Sequence, residues 1–181
     1  MNLPTRIGSF KGGWSFLSNF YPANVKLWID ERNVPYAHDI TPFIARNIEI
    51  YPSVEHAYQA AKFLDPKIRA RFQWATLSAG QAKAMGYDLR DQVRADWKEV
   101  SLEIMRDLNR QKYTPSILKR KLLATFQAEL IEGNWWSDEF WGVCYGCAKD
   151  GPHEPRGLNH LGKILMEIRR GLVPGLKSNK R

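Results

Sequence analysis

The sequence predicts an α+β domain that is mainly helical and carries a small antiparallel sheet. Helical periodicity of apolar residues recurs after residue 53, whereas the alternation typical of strands is confined to short segments. The 181 residues suffice for one domain with a sizeable core, and no repeat or Gly/Ser linker divides them. We therefore expect one domain over residues 1–176 and a disordered basic tail over residues 177–181.

The main part of the predicted sheet lies early in the chain. Residues 25–29 alternate in the manner of a strand, and residues 47–50 provide a partner. The segment between them contains Pro35 and Pro42, which predicts a long loop. Two further short strands are predicted at residues 130–132 and 142–145.

Start and stop signals predict the helices. Ser53 is placed to cap the first helix, whose apolar face is Val54, Ala57, Tyr58 and Ala61. The later helices are predicted to start at Pro66, to run from a capping box at Ser78 to Gly86, and to span residues 96–110, 114–126 and 158–170. The inward face of the last helix is predicted to be Leu161, Ile164, Leu165 and Ile168.

The net charge of the chain indicates which classes of partner to expect. The net charge is +8 with a pI near 9.6, and basic residues cluster at Lys119, Arg120 and Lys121. A basic surface concentrates polyanions, so nucleic acid is the first expected partner and a phosphorylated small ligand the second. The alternative is that the charge serves solubility alone.

Composition also excludes some classes of protein. No apolar run is long enough to cross a membrane, and no export signal is visible at the start of the chain. Two cysteines do not make a disulfide framework, so a cytoplasmic location is expected.

The two cysteines raise the question of a zinc site. Cys144 and Cys147 precede His153 and His160, and two thiolates with two imidazoles could complete a tetrahedron. The spacing differs from that of common zinc fingers. We therefore expect ordinary thiols and no bound metal.

Glu55 is the strongest candidate for a catalytic group. It falls in the first turn of the first helix, where the helix dipole favours negative charge, beside the aromatic Tyr58. A carboxylate held there can serve as a general base, and the alternative is that it only complements the dipole. His56 is expected to pack or hydrogen-bond elsewhere, because adjacent residues on a helix point about 100° apart.

Aromatic and basic residues offer candidate ligand contacts. Trp97 and Trp141 could stack on a flat base, with core packing as the alternative. Lys83, near a predicted helix end, is the best candidate for a phosphate ligand. Trp135 and Trp136 lie in a turn rich in Gly, Asn and Ser and are assigned no role.

Four segments in one order carry a family resemblance. They are FLSNFYP from residue 16, VEHAYQAAKF from residue 54, LIEGN from residue 130 with DEFWG from residue 138, and LNHLGKILMEIR from residue 158. Together they resemble the NADAR family, also called YbiA-like, and the resemblance extends from about Phe10 to Arg169. It implies the fold class predicted above and a hydrolase without cofactor that cleaves the N-glycosidic bond of a ribose.

The resemblance implies two substrate classes. Family chemistry includes removing ADP-ribose from guanine bases and splitting ribosylamino-pyrimidine intermediates of riboflavin biosynthesis. The charge of +8 favours ADP-ribosylated guanine in nucleic acid, DNA included, with an ADP-ribosyltransferase toxin as a candidate partner. A phosphorylated ribosylamino-pyrimidine is the alternative substrate. A non-catalytic module that reads ADP-ribose or nucleic acid is the second alternative.

The resemblance also implies roles for individual residues. Glu55 would act at the anomeric carbon, and Asp138 would orient ribose hydroxyls or water, with a surface turn as the alternative for Asp138. The ligand-binding residues implied with them are Ser18, Asn19, Phe20, Tyr58, Lys83, Trp97, Trp141 and Asn159. The presence of both carboxylates favours an enzyme, because a module that only reads its ligand needs no base beside the anomeric carbon.

Overall fold

A computed structural model of the chain describes residues 4–38, 45–146 and 151–173. Pro42, Cys147, the predicted domain boundary at residue 176 and the predicted tail over residues 177–181 lie outside the described residues. The predicted α+β class is confirmed: the described chain is mainly helical and holds a small antiparallel sheet.

The predicted helices and strands occur in the predicted order, but Pro35 lies in a short strand within the segment that the sequence predicted as a loop. The α-helices are α1 (Val54–Ala60), α2 (Pro66–Arg71), α3 (Ala79–Asp88), α4 (Trp97–Lys112), α5 (Ser116–Leu123) and α6 (His160–Leu172). The strands are β1 (Arg6–Ile7), β2 (Pro22–Ile29), β3 (Pro35–Tyr36), β4 (Asn47–Ser53), β5 (Glu129–Leu130), β6 (Gly133–Asn134) and β7 (Val143–Cys144). Residue contacts divide the chain into two compact units: the first unit is Asn19–Lys112, and the second unit is Met1–Ser18 with Tyr113–Arg181.

The first unit is built on a three-stranded antiparallel sheet in the order β3–β2–β4. The register places Val25 opposite Tyr51 and Trp28 opposite Ile48, which confirms the predicted strand pair. α1 follows β4 without a loop and packs against β2, β4, α2, α3 and α4. The sheet and three helices therefore surround α1.

α1 is buried on every side, whereas the sequence predicted one buried face. Its residues Val54–Ala60 are all buried, and they include the polar Glu55, His56 and Gln59. Burying a polar side chain is unfavourable unless it is hydrogen-bonded. The buried polar side chains of α1 therefore need hydrogen-bond partners inside the fold.

Gly86 lies inside α3, so the prediction that it ends the helix is wrong. The helix continues to Asp88. A Cβ at position 86 would lie 2.0 Å from Oε1 and 2.9 Å from Cδ of Gln59. Gly86 therefore permits a close approach of α3 to α1 and is not a stop signal.

A buried ion pair fixes the strand that leads into α1. Arg69 of α2 is fully buried, and its Nε and Nη2 donate to the Glu49 carboxylate at 2.9 Å and 3.0 Å. Tyr51 donates its hydroxyl to the same carboxylate at 2.6 Å. Burial raises the pKa of Tyr51, and the negative charge of Glu49 raises it further. The pair joins α2 to β4 and so to the start of α1.

The second unit contains two short parallel strand pairs, β1–β5 and β6–β7. α6 packs against β5 and α5 and buries Leu161, Ile164, Leu165 and Ile168, as predicted. Cys144 is buried in β7 and disulfide-bonded, so the expectation of an ordinary thiol is wrong at this residue. An apolar setting disfavours a charged thiolate but accommodates a neutral disulfide.

Candidate functional site

The start of α1 is fixed by a hydrogen-bonded cap. The Ser53 hydroxyl accepts from the backbone N–H of His56 at 3.4 Å, which confirms the predicted N-cap. The His56 ring donates from Nε2 to the Leu77 carbonyl at 2.9 Å, and its Nδ1 lies 2.8 Å from the Ser53 hydroxyl. Burial lowers the pKa of His56, so the neutral ring accepts from Ser53 at Nδ1. His56 is thus hydrogen-bonded away from Glu55, as predicted, and its bonds also hold the helix start.

Glu55 is presented from this fixed helix start. It is 7% exposed, and its backbone N–H donates to the Asn19 carbonyl at 3.1 Å. Gln59, one turn later and 4% exposed, donates from Nε2 to Glu55 Oε1 at 2.7 Å. Because Gly86 lies against the other end of the Gln59 amide, this amide has little freedom to turn. The bond therefore fixes the orientation of the Glu55 carboxylate.

Two aromatic rings and a lysine line the same helix. The rings of Tyr58 and Trp97 lie 4.9 Å apart at an angle of 58°. The Lys62 ammonium lies 5.7 Å from the Tyr58 ring centroid and 5.8 Å from that of Trp97. Burial lowers the pKa of Lys62 and the charge of Lys83 adds to this effect, whereas the charge of Glu55 opposes it. Lys62 therefore lies within electrostatic reach of both residues.

The first unit thus brings several predicted site residues together around α1. The Lys62 ammonium lies near the rings of Tyr58 and Trp97, which contact each other. The charges of Glu55 and Lys83 shift the pKa of Lys62 in opposite directions. Sequence analysis assigned no role to Gln59 and Lys62. Their spacing from Glu55, four and seven residues along the predicted helix, was the signal that could have found them, since such residues share a face.

Asn19 contacts the start of α1, and Phe20 contacts α3. The Asn19 side chain is buried, where its Nδ2 donates to Met105 Sδ and its Oδ1 accepts from Asn109. Phe20 is exposed, and its ring lies 3.9 Å from the place of a Cβ on Gly80 of α3. The ligand-binding roles of both residues remain predictions.

The predicted site residues of the second unit take part in its backbone structure. Asp138 accepts at Oδ1 from the backbone N–H of Trp141 at 2.9 Å. Asn159 donates from Nδ2 to the Leu130 carbonyl at 2.9 Å and accepts at Oδ1 from the N–H of Glu132 at 3.1 Å. Both side chains therefore hold turns, and their roles toward a ligand remain predictions.

Trp141 belongs to an aromatic group at the start of α6. Its ring lies 4.9 Å from that of Phe140, which in turn lies 4.6 Å from the His160 ring. Burial lowers the pKa of His160, and the charge of Lys163 lowers it further.

Ser18, another predicted ligand-binding residue, is half-buried and donates its backbone N–H to the Ser15 carbonyl.

The predicted nucleic-acid surface lies on α5. Arg120 and Lys121 are exposed and Lys119 is half-buried, and the Lys121 ammonium lies 5.6 Å from the ring centroid of Phe16.

Within residues 4–38, 45–146 and 151–173, no three His, Cys, Asp or Glu side chains are grouped so that they could hold a metal ion. In the same part of the chain no helix is both long and apolar enough to cross a membrane.

Comparison with known proteins finds one family along almost the whole chain. The model of the NADAR domain matches residues 10–173. N-glycosidase YbiA of Escherichia coli is 36% identical over 140 residues, which cover 75% of this chain and 81% of that protein. The NMR structure of E. coli YbiA matches with a TM-score of 0.65 and 30% identity, and covers 95% of this chain and 87% of its own.

Another relative is named for riboflavin biosynthesis. Riboflavin biosynthesis protein VVA0006 of Vibrio vulnificus is 32% identical over 158 residues. The match covers 87% of this chain but 35% of that protein.

Proposed function

Because this chain belongs to the NADAR family, we propose that it is a hydrolase that cleaves the N-glycosidic bond of a ribose. One observation carries the proposal: a buried carboxylate, Glu55, is fixed by Gln59 at a capped helix start in a unit that also holds the Tyr58–Trp97 pair. The name of the E. coli relative, an N-glycosidase, supports the same reaction class.

The reaction needs a negative group near the anomeric carbon. As the C1–N bond breaks, its electron pair leaves with the base, and positive charge develops on C1 and the ring oxygen. Glu55 stabilises this charge and takes a proton from the attacking water, whose oxygen bonds to C1. Glu55 gives the proton that it took from water back to solvent and the departing nitrogen takes up one proton from solvent, so the products are the free base and a ribose with a hydroxyl at C1.

The other residues of the first unit suit a flat, phosphorylated ligand. The Tyr58–Trp97 pair offers ring surface for a base, since aromatic rings stack on nucleobases. Lys83 is exposed and within electrostatic reach of Lys62, which supports its proposed role as a phosphate ligand. Asp138 is proposed to orient the ribose hydroxyls or water.

The substrate we propose is ADP-ribose attached to guanine in nucleic acid. The net charge of +8 supports a polyanionic substrate. A transferase that adds ADP-ribose to guanine would have to supply it. The second candidate is a phosphorylated ribosylamino-pyrimidine, and the name of the Vibrio relative favours it.

A product assay separates these substrates. The protein is incubated with an ADP-ribosylated oligonucleotide and, separately, with the ribosylamino-pyrimidine of riboflavin biosynthesis. The proposal predicts release of ADP-ribose and an intact guanine-containing strand in the first reaction. Release of ribose 5-phosphate in the second alone would make the metabolite the substrate. Binding of ADP-ribose without any product would identify a non-catalytic module.

A further inference from the structure

Two exposed tryptophans in the second unit take no part in the proposed chemistry. Trp135 and Trp136 are 49% and 53% exposed, although their rings would stabilise the fold if buried. The Trp135 ring lies 6.1 Å from that of Tyr145, at an angle of 36°. An exposed aromatic patch of this kind is typical of a binding site.

The turn that carries these tryptophans is rigid. Asn134 is fully buried; its Oδ1 accepts from the backbone N–H groups of Trp136 and Asp138 at 3.3 Å and 3.0 Å. Its Nδ2 donates to the Asp138 carbonyl at 2.8 Å. Ser137 has a φ of +63°, which residues other than glycine rarely adopt. The fold thus holds a strained turn in place, which reduces the ordering that a ligand would require.

A positive charge lies beside both rings. The Lys11 ammonium is 5.5 Å from the Trp135 ring centroid and 5.9 Å from that of Trp136. Lys11 is exposed and forms no ion pair with any residue in the described ranges. Exposed rings next to a cation are the combination that binds single-stranded nucleic acid, in which bases stack on rings and phosphates contact cations.

We propose that Trp135, Trp136 and Lys11 form a platform that binds single-stranded nucleic acid, with a base on a tryptophan ring and a phosphate at Lys11. Within a duplex each base is covered by its neighbours, whereas an unpaired base exposes a face that a ring can cover. The inference rests on the proposed function, in which guanine in nucleic acid is the substrate, and it specifies the strand form.

The test compares the affinity of the intact protein for a short unmodified single strand and for the duplex of the same sequence, by fluorescence anisotropy over a range of salt. The variants are the double Trp135→Ala/Trp136→Ala, the conservative double Trp135→Phe/Trp136→Phe, and Lys11→Gln. Trp74→Ala is the matched control, because Trp74 is 60% exposed, lies in the first unit and has no cation at its ring in the described chain. Thermal melts check that each variant is folded.

We expect the double alanine variant to bind the single strand about tenfold more weakly at every salt concentration, since stacking one base on a ring typically contributes about that much. The double alanine variant keeps the wild-type affinity for the duplex and the wild-type salt slope of single-strand binding. The double phenylalanine variant retains most of the affinity for the single strand. Lys11→Gln flattens the log–log salt slope by about 0.7, the value for one phosphate on a single strand. Trp74→Ala binds like the wild type.

Three results would overturn the platform. They are wild-type single-strand binding by the folded double alanine variant, an equal loss on single strand and duplex, and dimerisation that the double variant abolishes. The unmodified strand keeps this test separate from turnover. Tryptophan-dependent binding without ADP-ribose release would contradict the proposed function alone. Release of ADP-ribose with tryptophan-independent binding would contradict the platform alone.

Discussion

Glu55 and Asp138 are the two carboxylates assigned to catalysis, and their surroundings differ. Glu55 is 7% exposed, and its Oε1 accepts from the side chain of Gln59. Asp138 is half-buried, and its Oδ1 accepts from the backbone N–H of Trp141. The Asp138 bond to the Trp141 N–H holds a turn, whereas the Gln59 bond orients the Glu55 carboxylate. This contrast supports the chemical role proposed for Glu55 and shows that Asp138 also has a structural role.

The largest effect is expected at Glu55. Glu55→Gln keeps the volume of the side chain and a hydrogen bond with Gln59, but it removes the negative charge and the proton acceptor. Turnover should fall by about two to four powers of ten, with substrate affinity and melting temperature near those of the wild type. Steady-state kinetics, substrate titration and a thermal melt measure the three quantities. A large loss of melting temperature would instead give Glu55 a structural role.

Charge reversal on α5 should change nucleic-acid binding and leave chemistry alone. Contact with about three or four phosphates gives a log–log salt slope of about −2 to −3 on a single strand, and Lys119→Glu/Arg120→Glu/Lys121→Glu should flatten it. Turnover of a small ADP-ribosylated nucleoside should stay unchanged. Wild-type slopes in the triple variant would assign the charge of this helix to solubility and favour the metabolite substrate.

Two substitutions at Asp138 separate its structural role from its chemical one. Asp138→Ala removes the acceptor of the Trp141 N–H and should lower the free energy of unfolding by about 1–2 kcal/mol. Asp138→Asn keeps Oδ1 as an acceptor, so its stability should remain near wild type, while turnover falls by about tenfold if the charge orients water or ribose. Denaturant titration and kinetics on both variants test this. Full activity in the asparagine variant would leave Asp138 with the turn alone.

A substitution at Gly86 tests the support that Gln59 gives to Glu55. Gly86→Ala places a Cβ 2.0 Å from Gln59 Oε1, so Gln59 must shift, and we expect about 1–3 kcal/mol of destabilisation. Turnover should fall as well, because the Gln59 bond to Glu55 is displaced. Gly80→Ala in the same helix is the matched control, since its nearest neighbour is a Phe20 carbon at 3.9 Å. Equal turnover in the two variants would show that Gln59 does not orient Glu55.

Local signals allowed the helix start at Glu55 to be predicted, because Ser53 and the first turn are adjacent in sequence. Gly86 was misread because its reason for being glycine is Gln59, a residue of another helix. The all-round burial of α1 likewise depends on elements far along the chain.

The site shows the same division between local and distant information. Asn159 is predicted to contact a ligand, and in the fold it adopts a φ of +51° and hydrogen-bonds to the backbone at Leu130 and Glu132. Only the folded chain brings these groups together. The helix-start signals pointed to Glu55 and the i+4 spacing placed Gln59 on the same face, whereas the close approach of Gly86 to Gln59 became visible only in three dimensions.

A single-turnover measurement tests the proposed roles of the two carboxylates most directly. Enzyme is in excess over an ADP-ribosylated guanine oligonucleotide, and Glu55→Gln and Asp138→Asn are compared with the wild type. We expect release of ADP-ribose by the wild type, a moderate loss for Asp138→Asn, and a loss of about two to four powers of ten for Glu55→Gln with the substrate still bound. Release by Glu55→Gln at near the wild-type rate, or a larger loss for Asp138→Asn than for Glu55→Gln, would contradict these roles.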